Sequence, residues 1–212
     1  MATPVISFNP MQTTSTQTSF LLSSDGYVQG TFFDDPAIRY QLEGGVLSAS
    51  ATLPVWGGIP LSLAVPAING TSGQPTALGS TVSIATTTAA SQSGGIHAWS
   101  LFNQASAMII TPGSGVPVAG PGMSVNFARA GSGLRIALQL DAGLANSIVG
   151  GAPTQQVSWD FTNQAITTYS AGLGALPIII ESVSTTSRVV TYNSTTGAVT
   201  WNTQGPCAIV RI

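Results

Sequence analysis

Apolar residues along this chain recur at every second position in short bursts, separated by clusters of Gly, Pro, Asn and Ser. The clearest burst is Leu134-Arg-Ile-Ala-Leu-Gln-Leu140, in which Leu134, Ile136, Leu138 and Leu140 fall on one face of a strand. Gln155-Gln-Val-Ser-Trp-Asp-Phe161 repeats the pattern, with Val157, Trp159 and Phe161 on one side and Ser158 and Asp160 on the other. Thr162-Asn-Gln then leads into Ala165-Ile-Thr-Thr-Tyr169, which predicts a hairpin. A second hairpin is predicted where Arg188-Val-Val-Thr-Tyr192 and Ala198-Val-Thr-Trp201 flank Asn193-Ser-Thr-Thr-Gly197, with Gly197 available for positive φ. Further strands are expected over 27–33, 59–65, 81–87, 97–102, 107–111, 124–129, 177–184 and 206–211. Many of these alternate Ser or Thr with apolar residues, and hydroxyls suit a pleated surface because they hydrogen-bond without charge.

Only two stretches read as helix. Asp35-Pro36-Ala-Ile-Arg-Tyr-Gln-Leu-Glu-Gly44 offers an N-cap Asp, Pro at the first helical position and Gly at the end. Asp141-Ala-Gly-Leu-Ala-Asn-Ser-Ile-Val-Gly150 has a similar pattern, with Gly143 against it. The fold class is therefore all-β: a β-sandwich or β-barrel with long Gly/Pro loops, one or two short helices and an extended N-terminal arm. The arm is residues 1–24, rich in Ser, Thr and Gln and expected to lie loose or against a neighbour. Residues 25–212 read as a single β-rich domain, with 171–176 the one place to subdivide it. No internal repeat is evident.

Composition changes this picture in one respect. Of 212 residues, only 6% are charged, against roughly 25% in an average soluble domain. All five basic residues are Arg, at 39, 129, 135, 188 and 211, and seven are acidic, giving a net charge of −2. A monomer of 21.5 kDa would expose about 9,000 Å², about one charge per 760 Å², far sparser than small domains use to stay apart in solution. Scattered Arg and a pI near 4.9 exclude the basic stripe that nucleic acid requires. A mean hydropathy of +0.35 argues against wholesale disorder. The longest apolar runs, such as Leu176 to Ile180, fall far short of the ~18 residues of a membrane span. The first residues lack the basic and apolar regions of a secretory signal. A lone Cys207 makes no internal disulfide and fits a reducing cytoplasm. In that setting the glycosylation-like tripeptides at Asn69 and Asn193 read as turns.

Chemistry-bearing patterns are sparse. His97, the single histidine, sits in His97-Ala-Trp-Ser-Leu-Phe102, a strand-like setting, and reads as structural. One His and one Cys far apart give no metal spacing. Asp34-Asp35 before Pro36 is explained by capping, and no carboxylate lies in a glycosidase-like motif. Nucleophile elbow, dinucleotide and phosphate-loop motifs are absent, and no Lys exists to serve the last. Gly113-Ser-Gly-Val-Pro-Val-Ala-Gly-Pro-Gly122 resembles a phosphate cradle, but its prolines remove donors, so it reads as an extended loop. The four Trp, at 56, 99, 159 and 201, would suit a carbohydrate platform, although three lie in strand-like alternation where burial is ordinary. No enzyme, cofactor or metal is expected. Obligate interfaces are depleted in Lys, Glu and Asp, so the composition predicts a structural protein that works within an assembly.

Three stretches together carry a family resemblance. They are Leu53-Pro-Val-Trp-Gly-Gly-Ile-Pro-Leu61; Ser100-Leu-Phe-Asn-Gln-Ala-Ser-Ala-Met-Ile-Ile-Thr-Pro-Gly113 running through Gly122-Met-Ser-Val-Asn-Phe127 to the strand at 134–140; and Gln155-Gln-Val-Ser-Trp-Asp-Phe161. In combination, over roughly residues 25 to 171, they resemble tailed-bacteriophage virion structural proteins of the capsid decoration, or cement, type. The resemblance implies a non-enzymatic protein made in the host cytoplasm and bound on the outer capsid surface of the virion. Its partners would be the major capsid protein, whose neighbouring subunits it clamps, and copies of itself, a trimer before a dimer, with neither nucleic acid nor membrane. The contacts expected are Phe8 and Phe20 of the arm, Trp56, and Pro112, Val116 and Pro117 in the 112–122 loop, with Trp56-Gly-Gly reading equally well as an internal corner. The alternatives are a tail, baseplate or fibre component, or a carbohydrate-binding or depolymerising module for the host surface. A depolymerising module would draw on Asp25, Asp34, Asp35, Asp141 or Asp160.

Overall fold

Alternating apolar positions need two faces with different neighbours, and the chain supplies both by wrapping some strands into a barrel and laying a sheet against its outside. The computed structural model describes residues 27–33, 42–64, 80–101, 109–110, 115–193 and 195–212. In chain order the elements are β1 (Leu42–Leu47), β2 (Pro60–Leu63), β3 (Ser80–Ile84), β4 (Ala98–Ser100), β5 (Ile109–Ile110), β6 (Pro117–Val118), β7 (Ser124–Arg129), β8 (Arg135–Gln139), α1 (Ala142–Ile148), β9 (Val157–Asp160), β10 (Ala165–Thr168), β11 (Ile179–Tyr192) and β12 (Val199–Arg211).

A closed barrel runs in the order β1-β3-β2-β4-β7, with β7 returning antiparallel to β1 and β1–β3 paired parallel. Leu47, Leu61, Val82, Val125 and Phe127 fill its interior, and Val55, Trp56 and Ile59 from the loop before β2 join the same cluster. A three-stranded sheet, β11-β12-β8, a two-stranded sheet, β10-β9, and α1 enclose a second core. The two cores share the β4–β7 wall. Ala98 and Phe127 face the barrel interior, while Trp99 and Ala128, paired in register, belong to the second core. There Trp99 meets Trp159 edge-to-face at 5.0 Å and 74°, a favoured aromatic geometry. The period-two pattern thus reports two cores rather than a core and solvent.

The hairpin at 157–168, the helix capped by Asp141 and the strand at 124–129 form where the sequence places them. Asp141 accepts the Gly143 N–H at 2.8 Å. Other expectations are revised. The predicted helix at 35–44 gives way to strand at its end: Leu42, Glu43 and Gly44 pair with Ala128, Phe127 and Asn126, and residues 34–41 lie outside the described residues. Consecutive glycines at 44 and 45 are poor helix formers, and β7 offers this segment a full ladder. The predicted strand at 27–33 is two bridges, Val28 to Arg188 and Phe32 to Ile136, around a turn at Gly30 with φ +78°. This short segment ties the middle of β11 to the edge of β8. The 113–122 loop contains β6, and Ala119 exchanges both backbone hydrogen bonds with Val55, at 2.8 and 2.9 Å. Finally, 177–184 and 188–192 are one strand, β11, interrupted by irregularities at Ile180/Ser182, Ser184/Ser187 and Ser187/Val189.

Candidate functional site

The described residues of the types that could carry chemistry are occupied with structure. His97 Nδ1 accepts the Leu63 N–H at 3.0 Å and Nε2 lies 2.7 Å from the Ala90 carbonyl. Those partners fix the neutral tautomer with the proton on Nε2, so the ring joins β2 to the loop preceding β4. Asp160 organises the β9–β10 turn by accepting N–H groups of Thr162 and Asn163 and the Asn163 side-chain amide. Burial raises its pKa, but the bonds from Asn163 and Thr162 outweigh it and hold the carboxyl below its ordinary value. Cys207 is fully buried, and burial pushes its thiol far up, offset only in part by hydrogen bonding with the Ala208 backbone. Among the described residues no group of three or more His, Cys, Asp or Glu side chains is placed to hold a metal ion. Asp25, Asp34 and Asp35 lie outside the described residues.

The expected contact residues divide in the same way. Phe8, Phe20 and Pro112 lie outside the described residues. Trp56, Val116 and Pro117 are all buried, so these side chains shape the interior rather than present themselves to a neighbour. For Trp56 the cause is a corner locked by Ser100. The buried Ser100 hydroxyl donates to the Trp56 carbonyl at 2.5 Å and accepts the Ile59 N–H at 2.8 Å, while the Ser100 carbonyl accepts the Gly58 N–H. Gly58 takes φ +82° in this corner. A Cβ on Gly30 would come within 2.4 Å of the Gly57 backbone, so two glycines cross here in direct contact. The internal-corner reading of Trp56-Gly-Gly is the one the fold adopts. Nor do the four Trp share a surface: Trp99 and Trp159 are core, and Trp201 donates to the Gly115 carbonyl beneath the Arg188 guanidinium.

The feature that sequence reasoning missed is a cleft of about 630 Å³ where the barrel corner meets β8, the start of α1, the β9–β10 turn, β11 and β12. Trp56 from the barrel corner and Tyr192 from the end of β11 stack at 5.7 Å and 27° and form one part of its wall. Phe161 from the β9–β10 turn forms another, and Val189 and Gly205 of β11 and β12 also line it. Its polar groups include Gln139 of β8, Asp141, Thr162, Thr191 and Asn202, besides Asn163 and Gln164, whose side chains are engaged in the β9–β10 turn. Among the described residues neither Arg nor His lines it. A second hollow of about 360 Å³, lined by hydroxyls of Ser48, Thr52, Ser83 and Thr86, shares Leu53, Phe161 and Gln164 with the first. Much of the polar capacity is unspent. Gln139, Thr162 and Thr191 make no side-chain hydrogen bond among the described residues, and Asn202 uses only its oxygen, to accept the Gln204 N–H. Trp56 is 3% exposed, yet its indole N–H has no partner among the described residues, and a buried donor left unmatched costs about 1–3 kcal/mol. The signal available in sequence was thin: a Tyr at a hairpin end and amides in turns are commonplace.

The described surface as a whole is unusual for its charges. Eight charged residues fall in the described segments, and every one is engaged by the protein itself. Glu43 takes a two-pronged ion pair from Arg129 at 2.5 and 2.8 Å. Glu181 is bonded by Arg211 and lies 3.9 Å from Arg135. Arg188 lies over Trp201, Asp141 caps α1 and Asp160 holds its turn. Compared with protein-family models, with curated proteins and with solved structures, the chain matches none.

Proposed function

We propose that this chain is a non-enzymatic virion structural protein of a tailed bacteriophage, decorating the outer capsid surface and stabilising the shell by clamping neighbouring major capsid subunits. The observation that carries the reading is the internal engagement of every described charge. Apart from these paired charges, the described surface offers solvent or a neighbour mainly hydroxyl, amide and apolar groups, as in interfaces depleted in Lys, Glu and Asp. Val149 at the end of α1 is 62% exposed and Ile179 at the start of β11 is 38% exposed, so apolar groups are available for contact. The three stretches that resemble decoration proteins supply the choice of partner. Binding only the assembled lattice stabilises it by mass action, about 2.7 kcal/mol per site at a free concentration 100 times Kd. Many equivalent contacts then make the layer durable collectively. In this reading copies associate as a trimer, or else a dimer, before or on the shell.

The test is addition of the purified chain to expanded shells that lack it, with occupancy read by sedimentation and stability by thermal disruption of the particle. Saturable binding and later disruption are expected, and removal of residues 1–20 should weaken attachment without unfolding the protein. A chain that is monomeric by light scattering at micromolar concentration and leaves shells bare would sink the proposal.

A further inference from the structure

Clamping a shell has no need of the cleft between Trp56, Tyr192 and Phe161, and its chemistry is that of a ligand site. We infer that this cleft binds a neutral oligosaccharide. At about 630 Å³ it lies within the range of small-molecule sites, suiting a compact ligand better than an extended chain segment. Tyr192 is partly exposed and backed by the buried Trp56 in a stack; with the partly exposed Phe161 it offers rigid aromatic surface for the C–H face of a sugar ring. The Gln139 amide and the Asn202 Nδ2 lack partners among the described residues, and amides both donate and accept, as sugar hydroxyls do. Asp141 spends one oxygen on the Gly143 N–H and keeps the other for an acceptor's role. With no Arg or His among the described residues of its lining, the cleft offers none of the charge-assisted donors that hold phosphate, sulfate or carboxylate groups. The residue that backs this wall, Trp56, also keeps a buried indole N–H without a partner among the described residues. The neighbouring hollow, which shares Leu53, Phe161 and Gln164 with the cleft and has no charged residue among its described lining, adds uncharged surface beside it and would let the ligand be longer than two sugar units.

The experiment titrates the full chain with uncharged oligosaccharides (cello-, malto- and chito-oligosaccharides of two to four units) and with heparin fragments as anionic controls. Binding is read by calorimetry and by tryptophan fluorescence, which the Trp56 stack makes sensitive to occupancy. Saturable binding of at least one neutral series, and none of heparin, is expected. Gln139→Ala and Asn202→Ala should each weaken it about fivefold or more, the share of one hydrogen bond. Tyr192→Phe should retain binding and Tyr192→Ala abolish it. Asn202 is exposed, so its variant tests the site without threatening the fold. Shell occupancy of the Gln139 and Asn202 variants should equal that of the unaltered chain, which separates this inference from the proposed clamp. Silence of every neutral series, or equal binding by the two amide variants, would overturn it. So would occupation of the cleft by a synthetic peptide of residues 1–24, lost in the same variants, because the groove would then belong to a neighbour's arm.

Discussion

Gly205 and Val189 provide a sharp test of how β11 and β12 fit together. Gly205 opposes Ser187 in the irregular stretch where the ladder changes register. A Cβ built on it would lie 2.0 Å from Val189 Cγ2 and 3.2 Å from Val189 Cβ. Val189 is 1% exposed and packs with Ala137 and Cys207, and its χ1 is stiff because the side chain branches at Cβ. Gly205→Ala therefore forces either a strained rotamer or a splayed ribbon. Overpacking costs about 1–3 kcal/mol, and so close a contact places this one near the upper end, about 3 kcal/mol. Val189→Ala alone loses two buried methyls, about 1.6 kcal/mol of transfer, and a small cavity brings it to about 2 kcal/mol. In the double variant the new methyl occupies the vacated space and its nearest remaining contact is the 3.2 Å one, which a shift of a few tenths of an ångström relieves. The pair should thus cost about 2 kcal/mol rather than the additive ~5, a coupling of about 3 kcal/mol. Urea unfolding followed by fluorescence and circular dichroism measures all four states, provided the two transitions coincide. For a chain of this length Gly205→Ala should also lower Tm by about 6–12 °C. A single variant within ~0.5 kcal/mol of the parent, or a double that is additive within ~0.5 kcal/mol, would refute the packing argument.

Other consequences are simpler. Cys207, buried with its thiol pushed far up in pKa, should resist disulfide reagents at pH 8 in native buffer and react in proportion to the unfolded fraction as urea rises; stoichiometric labelling of native protein within minutes contradicts its burial. Glu43 has its pKa lowered, first by the hydrogen bond from Arg129; the stability from this pair is therefore complete above the unfolded carboxylate pKa and fades as pH falls through the folded one. With side chains 39% and 54% exposed, the pair is worth under ~1 kcal/mol, and Glu43→Gln should flatten that part of the urea-midpoint profile below about pH 4.5; a constant offset at every pH would contradict it. His97→Ala should cost about 1–2 kcal/mol through the lost bonds to Leu63 and Ala90 while leaving oligomeric state unchanged, and loss of assembly in a folded variant would overturn its purely structural role.

How far the sequence disclosed this fold depended on whether the deciding partner was local. The strand at Ser124–Arg129 could be read to the residue because Val125 and Phe127 alternate with polar Ser124 and Asn126. The helix Ala142–Ile148 was legible because its cap, Asp141, is the adjacent residue. β1 was hidden because Asp35-Pro36 carries a helix-start signal, whereas its end answers to β7, distant in sequence. The continuity of β11 was hidden by Ser182-Val-Ser-Thr-Thr-Ser187, a hydroxyl-rich run that resembles a loop until β12 supplies the ladder. Barrel closure, through the parallel β1–β3 pair and the antiparallel β1–β7 pair, has no local signature at all. The cleft fares likewise. Trp56 was marked for its corner, but its stacking partner Tyr192 and the Gln139 and Asn202 amides come together only after the hairpin folds over the barrel.

Charge pairing and barrel closure bear on the same problem. A surface whose described charges are all matched internally exerts little long-range repulsion, so copies of the chain approach each other freely. For a β-rich protein that freedom is hazardous, because unpaired strand edges template open-ended pairing. Here the β1-β3-β2-β4-β7 barrel has no edge, and the β8 edge of the outer sheet is taken in part by residues 30–33, which exchange backbone hydrogen bonds with Arg135 and Ala137. Contacts between copies are thereby shifted from backbone ladders to side chains. Side-chain contacts depend on the shape and chemistry of particular faces, so they select a partner and a geometry and can saturate. Low repulsion combined with a closed barrel and a partly covered β8 edge favours finite, specific assembly over fibrous aggregation, as the proposed shell-coating role requires.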